Sequence, residues 1–221
     1  MQLNADRSRP ARLDSARLAW VESPVTGIQR RMLERDGDEV ARATSLVRYA
    51  PRSAFPAHVH DAGEEILVLE GVFSDETGDY PAGFYLRNPP GSRHAPASGP
   101  GAVILVKIRQ MPSAETVPIR IDARSPAWQE LGDRSAEALL FDAPWERVVL
   151  QRFAPGHMGP VVEWDRGVEL FVLDGEVIVD GQACGAGTWL RYPPGAALAF
   201  GSPLGARIYR KSGHLGQPPH A

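Results

Sequence analysis

Residues 58–71 read HVHDAGEEILVLEG, and this stretch carries both the strongest structural pattern and the strongest chemical pattern of the chain. Two histidines two positions apart precede a turn-like Asp61-Ala62-Gly63 segment, two glutamates and a short apolar run that reaches Gly71. Short apolar runs bounded by glycine are typical of β-strands. The stretch therefore predicts a strand with His58 and His60, a turn, and a second strand that begins at Glu64.

The same pattern recurs 104 residues later, where residues 162–175 read VEWDRGVELFVLDG. Without any gap, residues 46–109 are identical to residues 150–213 at 24 of 64 positions, which is far above chance. Turn residues punctuate both halves at intervals of about 8 to 12 residues, a spacing typical of a β-sandwich or barrel. We therefore expect an all-β chain of two tandem domains, residues 1–112 and 113–221, that arose by internal duplication.

Two segments outside the repeat carry weaker signals. Residues 1 to about 40 are expected to add leading strands to the first repeat, with a frayed start. Residues 125–131 could form one helical turn, with Ser125 as the cap and Pro126 at the first helical position. Few other helical signals are present in the sequence.

Composition excludes several classes of protein. The formal net charge of -3 provides no basic face for nucleic acid. The single cysteine, Cys184, excludes a disulfide framework and a zinc site made of cysteines alone. No apolar run approaches the roughly 20 residues of a membrane helix, and the polar, Arg-rich N-terminal region lacks an apolar signal core. We therefore expect a cytoplasmic protein without nucleic-acid or membrane partners.

Four residues have the chemistry of a metal site. His58 and His60 are two positions apart, so on a strand both imidazoles lie on one face. The turn after them returns Glu64 to the neighbouring strand, and the Pro89-Pro90-Gly91 corner brings His94 from a third strand. Three imidazoles and one carboxylate suit a divalent transition metal such as Zn, Fe, Mn, Ni or Cu. We predict one such ion per chain, bound by His58, His60, Glu64 and His94.

The alternative to a metal site is a set of surface histidines. Half of the six histidines fall in this one group, whereas His157, His214 and His220 lie outside it, and His157 is expected to be solvated. The concentration of histidines in a single motif favours the metal site.

The second repeat is an internal control for the site. Adding 104 to the four ligand positions leads to apolar residues in every case, namely Val162, Trp164, Val168 and Leu198. The second repeat is therefore expected to lack a metal and to be packed at these positions, because an unligated buried carboxylate or imidazole is costly.

The same control separates Glu64 from its neighbour Glu65. Glu65 has a counterpart, Glu169, in the repeat without a site, whereas Glu64 has none. Glu64 is therefore the better candidate ligand, and Glu65 has a structural role. Arg87 and Arg191 persist in both halves as well, which predicts cross-strand ion pairs Glu65–Arg87 and Glu169–Arg191.

Other candidate residues have two interpretations. Phe55, Tyr85 and Arg93 lie near the ligands in sequence and either line a substrate cavity or belong to the core. Cys184 is expected to be a buried packing residue because no histidine partner is evident nearby. Asp75, Glu76 and Asp79 are expected to decorate the end of a hairpin.

The motif His58-x-His60-x3-Glu64-x6-Gly71 and the motif Gly83-x5-Pro89-x-Gly91-x2-His94 resemble the two cupin motifs. The resemblance implies a double-stranded β-helix, or jelly roll, in each repeat, and hence a bicupin. Residues 64–94 are also similar to the cupin domain of the ChrR family of anti-sigma factors, and this implies the same four ligands.

The chain departs from the ChrR family in one respect. Proteins of that family bind their sigma factor through an N-terminal helical domain with a His/Cys zinc site. This chain has no cysteine before Cys184, and its N-terminal region has no helical pattern. Sigma-factor binding is therefore not expected of it.

Two functions from different classes follow. The first is a metal-containing protein that binds a small molecule in the first barrel, with a sensing role related to oxidative stress. The alternative is a non-haem metal-dependent dioxygenase that acts on a small carbonyl substrate of the β-diketone type, for which no catalytic residue beyond the ligands can be named. A structural bicupin with a vestigial site is a third interpretation, which the intact ligand set argues against. A homodimer through exposed sheet edges is also compatible with the sequence.

Overall fold

The computed structural model describes residues 1–38 and 40–216, and the regular secondary structure within them is almost entirely β-strand. Two short 3-10 turns, Ser15–Arg17 and His214–Gly216, accompany the strands. In chain order the strands are β1 (Gln2–Leu3), β2 (Ala11–Asp14), β3 (Val21–Glu22), β4 (Ile28–Asp36), β5 (Arg42–Tyr49), β6 (Ser53–Ala54), β7 (His58–His60), β8 (Glu64–Asp75), β9 (Gly78–Pro81), β10 (Phe84–Asn88), β11 (Ser92–His94), β12 (Ala97–Ser98), β13 (Ala102–Ile108), β14 (Ile119–Asp122), β15 (Gln129–Glu130), β16 (Ser135–Ala143), β17 (Glu146–Phe153), β18 (His157–Met158), β19 (Val162–Trp164), β20 (Val168–Val179), β21 (Gln182–Gly185), β22 (Thr188–Tyr192), β23 (Ala196–Leu198), β24 (Phe200–Ser202) and β25 (Ala206–Ser212).

The chain divides into two compact units. Among the described residues, the first unit contains 1–5 and 19–125, and the second contains 6–18 and 126–216. The predicted boundary at 112/113 differs from this division at two short segments, residues 6–18 and 113–125. The first segment contributes β2 to the sheet of the second unit, and the second segment contributes β14 to the sheet of the first unit. The local sequence does not show these pairings.

The first unit is an antiparallel sheet in the order β1-β4-β5-β13-β8-β10-β14. A smaller layer completes it, in which β9 pairs with β8, and β12 pairs with both β6 and β8, while β7 and β11 form a separate two-stranded ladder. Because β8 belongs to both layers, it connects the large sheet to the end of the unit where β7 and β11 lie.

The second unit repeats this order as β15-β16-β17-β25-β20-β22-β2. The strands β20, β22 and β25 begin and end 104 residues after β8, β10 and β13, as the repeat predicts. The last strand, however, comes from the N-terminal region: Ala11 pairs with Arg191 just as Ile119 pairs with Arg87. The expectation that residues 1–40 add strands to the first repeat is therefore correct for β1, β3 and β4 and wrong for β2.

The two strands in question, β2 and β14, are similar to each other in sequence. Residues 118–122 read PIRID and residues 10–14 read PARLD, a similarity at an offset of 108 rather than 104. An edge strand pairs through its backbone, so its partner is selected by where the chain can reach and not by a local pattern. The sequence similarity between the two units therefore extends beyond residues 46–109. An ungapped comparison at an offset of 104 does not detect it, because these strands are related by an offset of 108.

Gly71 marks a bend within β8 and not the end of that strand. Its φ is +68°, and a Cβ at this position would lie 1.9 Å from the Gly101 carbonyl oxygen. Only glycine accommodates this close approach and this backbone conformation. Gly175 has the same surroundings in β20, where a Cβ would lie 2.1 Å from the Gly205 carbonyl oxygen.

Buried charges around Arg87 confirm the predicted structural role of Glu65. Arg87 is fully buried, its Nη1 lies 3.2 Å from Glu65 Oε2, and Tyr85 donates a hydrogen bond to Glu65. A second carboxylate, that of Glu115, accepts two hydrogen bonds from Arg87 at 2.6 and 2.7 Å. Tyr85 is thereby assigned to the core and not to a cavity.

The equivalent residues of the second unit have other partners. Trp189 Nε1 donates to Glu169 at 2.7 Å, and His214 Nε2 lies 3.1 Å from the other oxygen of this carboxylate. Arg191 donates to the Asp6 carbonyl oxygen at 2.8 Å. Glu169 and Arg191 are cross-strand neighbours, and their direct ion pair stays a prediction.

Two local expectations are wrong. Residues 125–131 form no helical turn, because Gln129 and Glu130 pair with β16 as β15. His157 is buried and not solvated: its ring stacks on Phe153 with centroids 4.6 Å apart, and its Nδ1 is hydrogen-bonded to the Asp133 carbonyl oxygen at 2.7 Å. His220 lies outside the described residues.

Cys184 belongs to the hydrophobic core of the second unit, as predicted. Among the described residues, no helix combines the length and the hydropathy needed to traverse a bilayer.

Candidate metal centre

The three predicted histidines converge at one end of the first unit. His58 and His60 lie on β7, and His94 on β11 is the direct cross-strand partner of His58. Their ring centroids are 4.5 to 5.1 Å apart, and one nitrogen from each ring lies within 4.8 Å of the others. This three-histidine group can hold a metal ion.

Glu64 lies beside the histidines at the start of β8. Its Oε2 is 3.4 Å from His60 Nε2 and 3.3 Å from His94 Nε2. The two imidazole nitrogens are themselves 2.9 Å apart. Ligands bound to one ion at about 2.0–2.2 Å have separations of this size. The structure thus brings together all four residues that the sequence selected.

The tautomers of two histidines leave the correct nitrogen available. His58 Nδ1 lies 2.8 Å from the Pro56 carbonyl oxygen, which can only accept, so this nitrogen carries the proton. His94 Nδ1 lies 3.4 Å from Asp75 Oδ2 in the same way. In each neutral ring, Nε2 then has a free electron pair, which is the form that binds a metal.

Asp75 is a site residue that the sequence did not reveal. It lies at the end of a hairpin, as expected, but its side chain is 1% exposed and faces His94. Burial raises the pKa of Asp75, but the hydrogen bonds from His94 and Thr77 outweigh this and lower the pKa to about 2. Asp75 is therefore ionised at neutral pH and orients the imidazole of His94.

The pKa values of the two buried histidines shift in opposite directions. Burial lowers the pKa of His60, with a further contribution from the charges of His94 and His58. Burial also acts to lower the pKa of His94, but the hydrogen bond to Asp75 and the charge of Glu64 outweigh it and raise that pKa. The charge of Glu64 raises the pKa of both histidines, so the hydrogen bond to Asp75 is what distinguishes His94 from His60.

Glu64 is oriented by Asn88 and Arg120. Asn88 Nδ2 donates to Glu64 Oε2 at 2.9 Å, and Arg120 Nη2 donates to Asn88 Oδ1 at 2.7 Å. Arg120 belongs to β14, the strand that the predicted boundary assigned to the second domain. Comparison of the two repeats contains a signal for Asn88 and Asp75. Both are polar in the repeat with the site, whereas their counterparts in the other repeat are Tyr192 and Val179.

The second unit has apolar packing where the first has ligands. Val162 pairs with Leu198 as His58 pairs with His94. Val168 and Leu198 lie in the core with Trp164 packed against it, as predicted. Val162 departs from the prediction because it is 42% exposed, at the start of a short ladder.

A cavity of about 490 Å³ adjoins the histidines in the first unit. His58, His60 and Glu64 contribute to its wall, together with half-buried Phe55, whose ring centroid is 5.0 Å from that of His58. Arg93 is exposed and is not part of this wall. Of the three residues with two interpretations, only Phe55 therefore lines the cavity.

Residues 8–112 match the family model for the ChrR cupin-like domain. This region of the chain is therefore similar to the ChrR cupin-like domain. The match covers the three histidines and Glu64, as the sequence motifs implied. No curated protein matches the chain.

Solved structures with the same fold span both units. A proposed dioxygenase from Nostoc punctiforme has a TM-score of 0.78 at 17% identity, with 96% of this chain and 85% of that chain covered. The nickel(II) complex of the bacterial pirin YhhW from Escherichia coli has a TM-score of 0.71 at 12% identity, with 92% and 98% covered. Oxalate decarboxylase from Bacillus subtilis, a protein with Mn(II) centres, has a TM-score of 0.65 at 11% identity, with 92% and 77% covered. These similarities show the cupin fold of this chain.

Replacing Asp75 with Asn is expected to weaken metal binding by about 10- to 100-fold, because the carboxylate that orients His94 is lost. Competition with a chromophoric chelator measures the affinity. Asp79→Asn is the matched control, since Asp79 is exposed on the same hairpin and bonds to Ser74. Equal affinities of the two variants would refute the orienting role.

Proposed function

We propose that this protein binds one divalent transition metal per chain through His58, His60, Glu64 and His94, and uses it to bind a small molecule in the first barrel. The convergence of the four side chains beside a cavity carries the proposal. Three of the four, His60, Glu64 and His94, are 7%, 7% and 5% exposed. Buried groups of this kind are costly unless they are paired or bind a metal.

The donor set fits such an ion. Unprotonated imidazole nitrogens and a carboxylate oxygen are ligands for Zn, Fe, Mn and Ni, and no thiolate is present to favour softer metals. A bound ion would supply Lewis-acid polarisation of a ligand oxygen. The protein's own contribution is to hold the ligands through Asp75, Asn88 and Pro56 and to shape the adjoining cavity.

Elemental analysis of the full chain purified without added metal tests the proposal. We expect about one transition-metal ion per chain, or uptake of one when Fe(II), Mn(II), Ni(II) or Zn(II) is added. A content below roughly 0.3 ions per chain, with no gain on addition, would refute the site at the affinity expected of four such ligands.

A second candidate function is that of a metal-dependent dioxygenase. The cavity beside the three histidines favours it, and the protein of that description from Nostoc punctiforme shares the fold. Oxygen uptake by the Fe(II)-loaded protein in the presence of a β-diketone tests this function. Turnover with Fe(II) but not Zn(II) would support the enzyme, whereas metal binding without any turnover would support the binding function.

We also propose that the two units arose by duplication and that the second lost its ligands. The constant offset of 104, the shared strand order and the similarity of PARLD to PIRID support this origin. Once the ligands were lost, apolar residues at the same positions would restore packing.

A further inference from the structure

Arg30 places a half-buried guanidinium on the wall of the cavity that adjoins the histidines. Its Nη2 donates to Ser23 Oγ at 2.9 Å. Within residues 1–38 and 40–216, no carboxylate forms an ion pair with it. Burial lowers the pKa of Arg30, and repulsion from Arg35 acts in the same direction. The guanidinium nevertheless stays charged, so an anion in the cavity would be attracted to it.

The other two arginines of the cavity wall already have partners. Arg109 forms an ion pair with Asp61, and Arg35 donates to the Asp38 carbonyl oxygen. The charge of Arg109 therefore balances that of Asp61. Arg35 adds a second positive charge near Arg30. The cavity wall thus holds three arginines against the two carboxylates of Asp61 and Glu64, and this excess of positive charge favours a negatively charged ligand.

Tyr49 supplies a second polar group in the same cavity. It is 6% exposed, and its hydroxyl makes no hydrogen bond to any residue that the structure describes. Burial raises the pKa of Tyr49 well above its usual range; the charge of Glu64 adds to this and that of Arg30 opposes it. Tyr49 and Arg30 thus line the same cavity from the paired strands β5 and β4, and the protonated hydroxyl of Tyr49 can donate a hydrogen bond.

The rest of the cavity wall is mainly aliphatic and aromatic. Apolar side chains from β4, β5 and β13 surround the polar groups, namely Ile28, Val47, Ile104, Val106 and Ile108. A volume of about 490 Å³ is within the range of small-molecule sites, in which a few polar groups orient an otherwise apolar ligand.

We infer that the natural ligand is a small carboxylate with an apolar body, whose carboxylate is bound by Arg30 and Tyr49 while its body fills the space toward the histidines. The inference rests on the proposed function in that it names the class of ligand for the same cavity. In the part of the chain that the structure describes, the Arg30 guanidinium has no carboxylate partner and the Tyr49 hydroxyl has no hydrogen-bond partner. Such donors are what a carboxylate requires.

Calorimetric titration of the metal-loaded full chain with benzoate, phenylacetate and isovalerate, each compared with its neutral amide, tests the inference. At least one carboxylate is expected to bind at least tenfold more tightly than its amide. Arg30→Gln is expected to weaken the carboxylate at least tenfold without affecting the amide, as expected when a charge-assisted hydrogen bond is lost. Arg30→Lys, which keeps the charge, should retain part of the affinity, and Tyr49→Phe should weaken binding severalfold.

Arg48→Gln is the matched control, because Arg48 lies on the neighbouring strand β5 but is exposed, contacts Gln29 and Trp20, and is not part of the cavity wall. Its affinity for the carboxylate should equal that of the wild type. Equal binding of carboxylates and amides, wild-type affinity in Arg30→Gln, or no binding of any carboxylate below about 10 mM would overturn the inference.

Metal content, measured on every sample, separates this test from that of the proposed function. If the protein takes up no metal and Arg30 still determines carboxylate affinity, the metal proposal fails and the ligand class stands. If metal binds normally and Arg30→Gln has no effect, the ligand class fails and the metal proposal stands. Circular dichroism confirms that Arg30→Gln and Arg30→Lys are folded.

Discussion

Glu64→Gln is expected to weaken metal binding by about 100-fold or more, whereas Glu65→Gln is expected to leave the affinity unchanged. The two glutamates are adjacent, but Glu64 Oε2 lies 3.3 Å from His94 Nε2 while Glu65 accepts from Tyr85 and pairs with Arg87. Loss of a charged ligand exceeds the 10- to 100-fold effect of losing a group that orients a ligand. Chelator competition at constant pH measures both affinities.

Glu65→Gln is therefore a nearly isosteric control one residue away. It is expected to lower stability by about 1–3 kcal/mol, since a buried charged hydrogen bond is weakened, so both variants are compared well below their unfolding temperatures. Equal metal affinities of the two variants would remove Glu64 from the ligand set. A loss confined to Glu65→Gln would reverse the assignment.

Arg87→Met is expected to destabilise the first unit by about 3–5 kcal/mol, the usual cost of removing one partner from a buried ion pair. The substitution would leave the carboxylates of Glu65 and Glu115, which are 3% and 5% exposed, without their cation. Urea unfolding followed by circular dichroism and fluorescence measures the change in free energy.

The exposed Arg48 is again the matched control, and Arg48→Met is expected to cost less than about 1 kcal/mol. The triple variant Arg87→Met, Glu65→Gln, Glu115→Gln should recover part of the stability, because it removes the uncompensated charges. A cost below about 1 kcal/mol for Arg87→Met alone would contradict the assigned structural role.

Internal comparison of the two repeats explains why so much of the site could be predicted. His58, His60, Glu64 and His94 differ in chemical type from Val162, Trp164, Val168 and Leu198, although the surrounding strands are similar. The contrast separates residues needed by the fold from residues needed by the site. The same contrast exists between Asp75 and Val179, but a carboxylate at a turn suggests hairpin decoration, because sequence does not show that its side chain faces inward.

Errors occur where burial or long-range pairing overrides a local signal. His157 lies outside the motif and is expected in solvent, yet stacking on Phe153 and a bond to Asp133 stabilise it in the interior. Residues 125–131 have a good helix-capping pattern, but backbone hydrogen bonds to β16 stabilise the extended form instead. In both cases the conformation is stabilised by contacts with other segments of the chain, and the local sequence pattern does not show these contacts.

The amino-acid sequence by itself determined the all-β class, the constant register of β8, β10 and β13 with β20, β22 and β25, and the four candidate ligands. These follow from spacing along the chain, since side chains alternate across a strand and a fixed offset preserves that alternation. Only the tertiary structure decided which unit receives β2 and which receives β14. Because β14 lies in the first unit, its Arg120 supports Glu64 through Asn88. The tertiary structure also brought Arg30 and Tyr49 to the cavity, because strand partners and cavity walls depend on closure of the sheet, which no local pattern encodes.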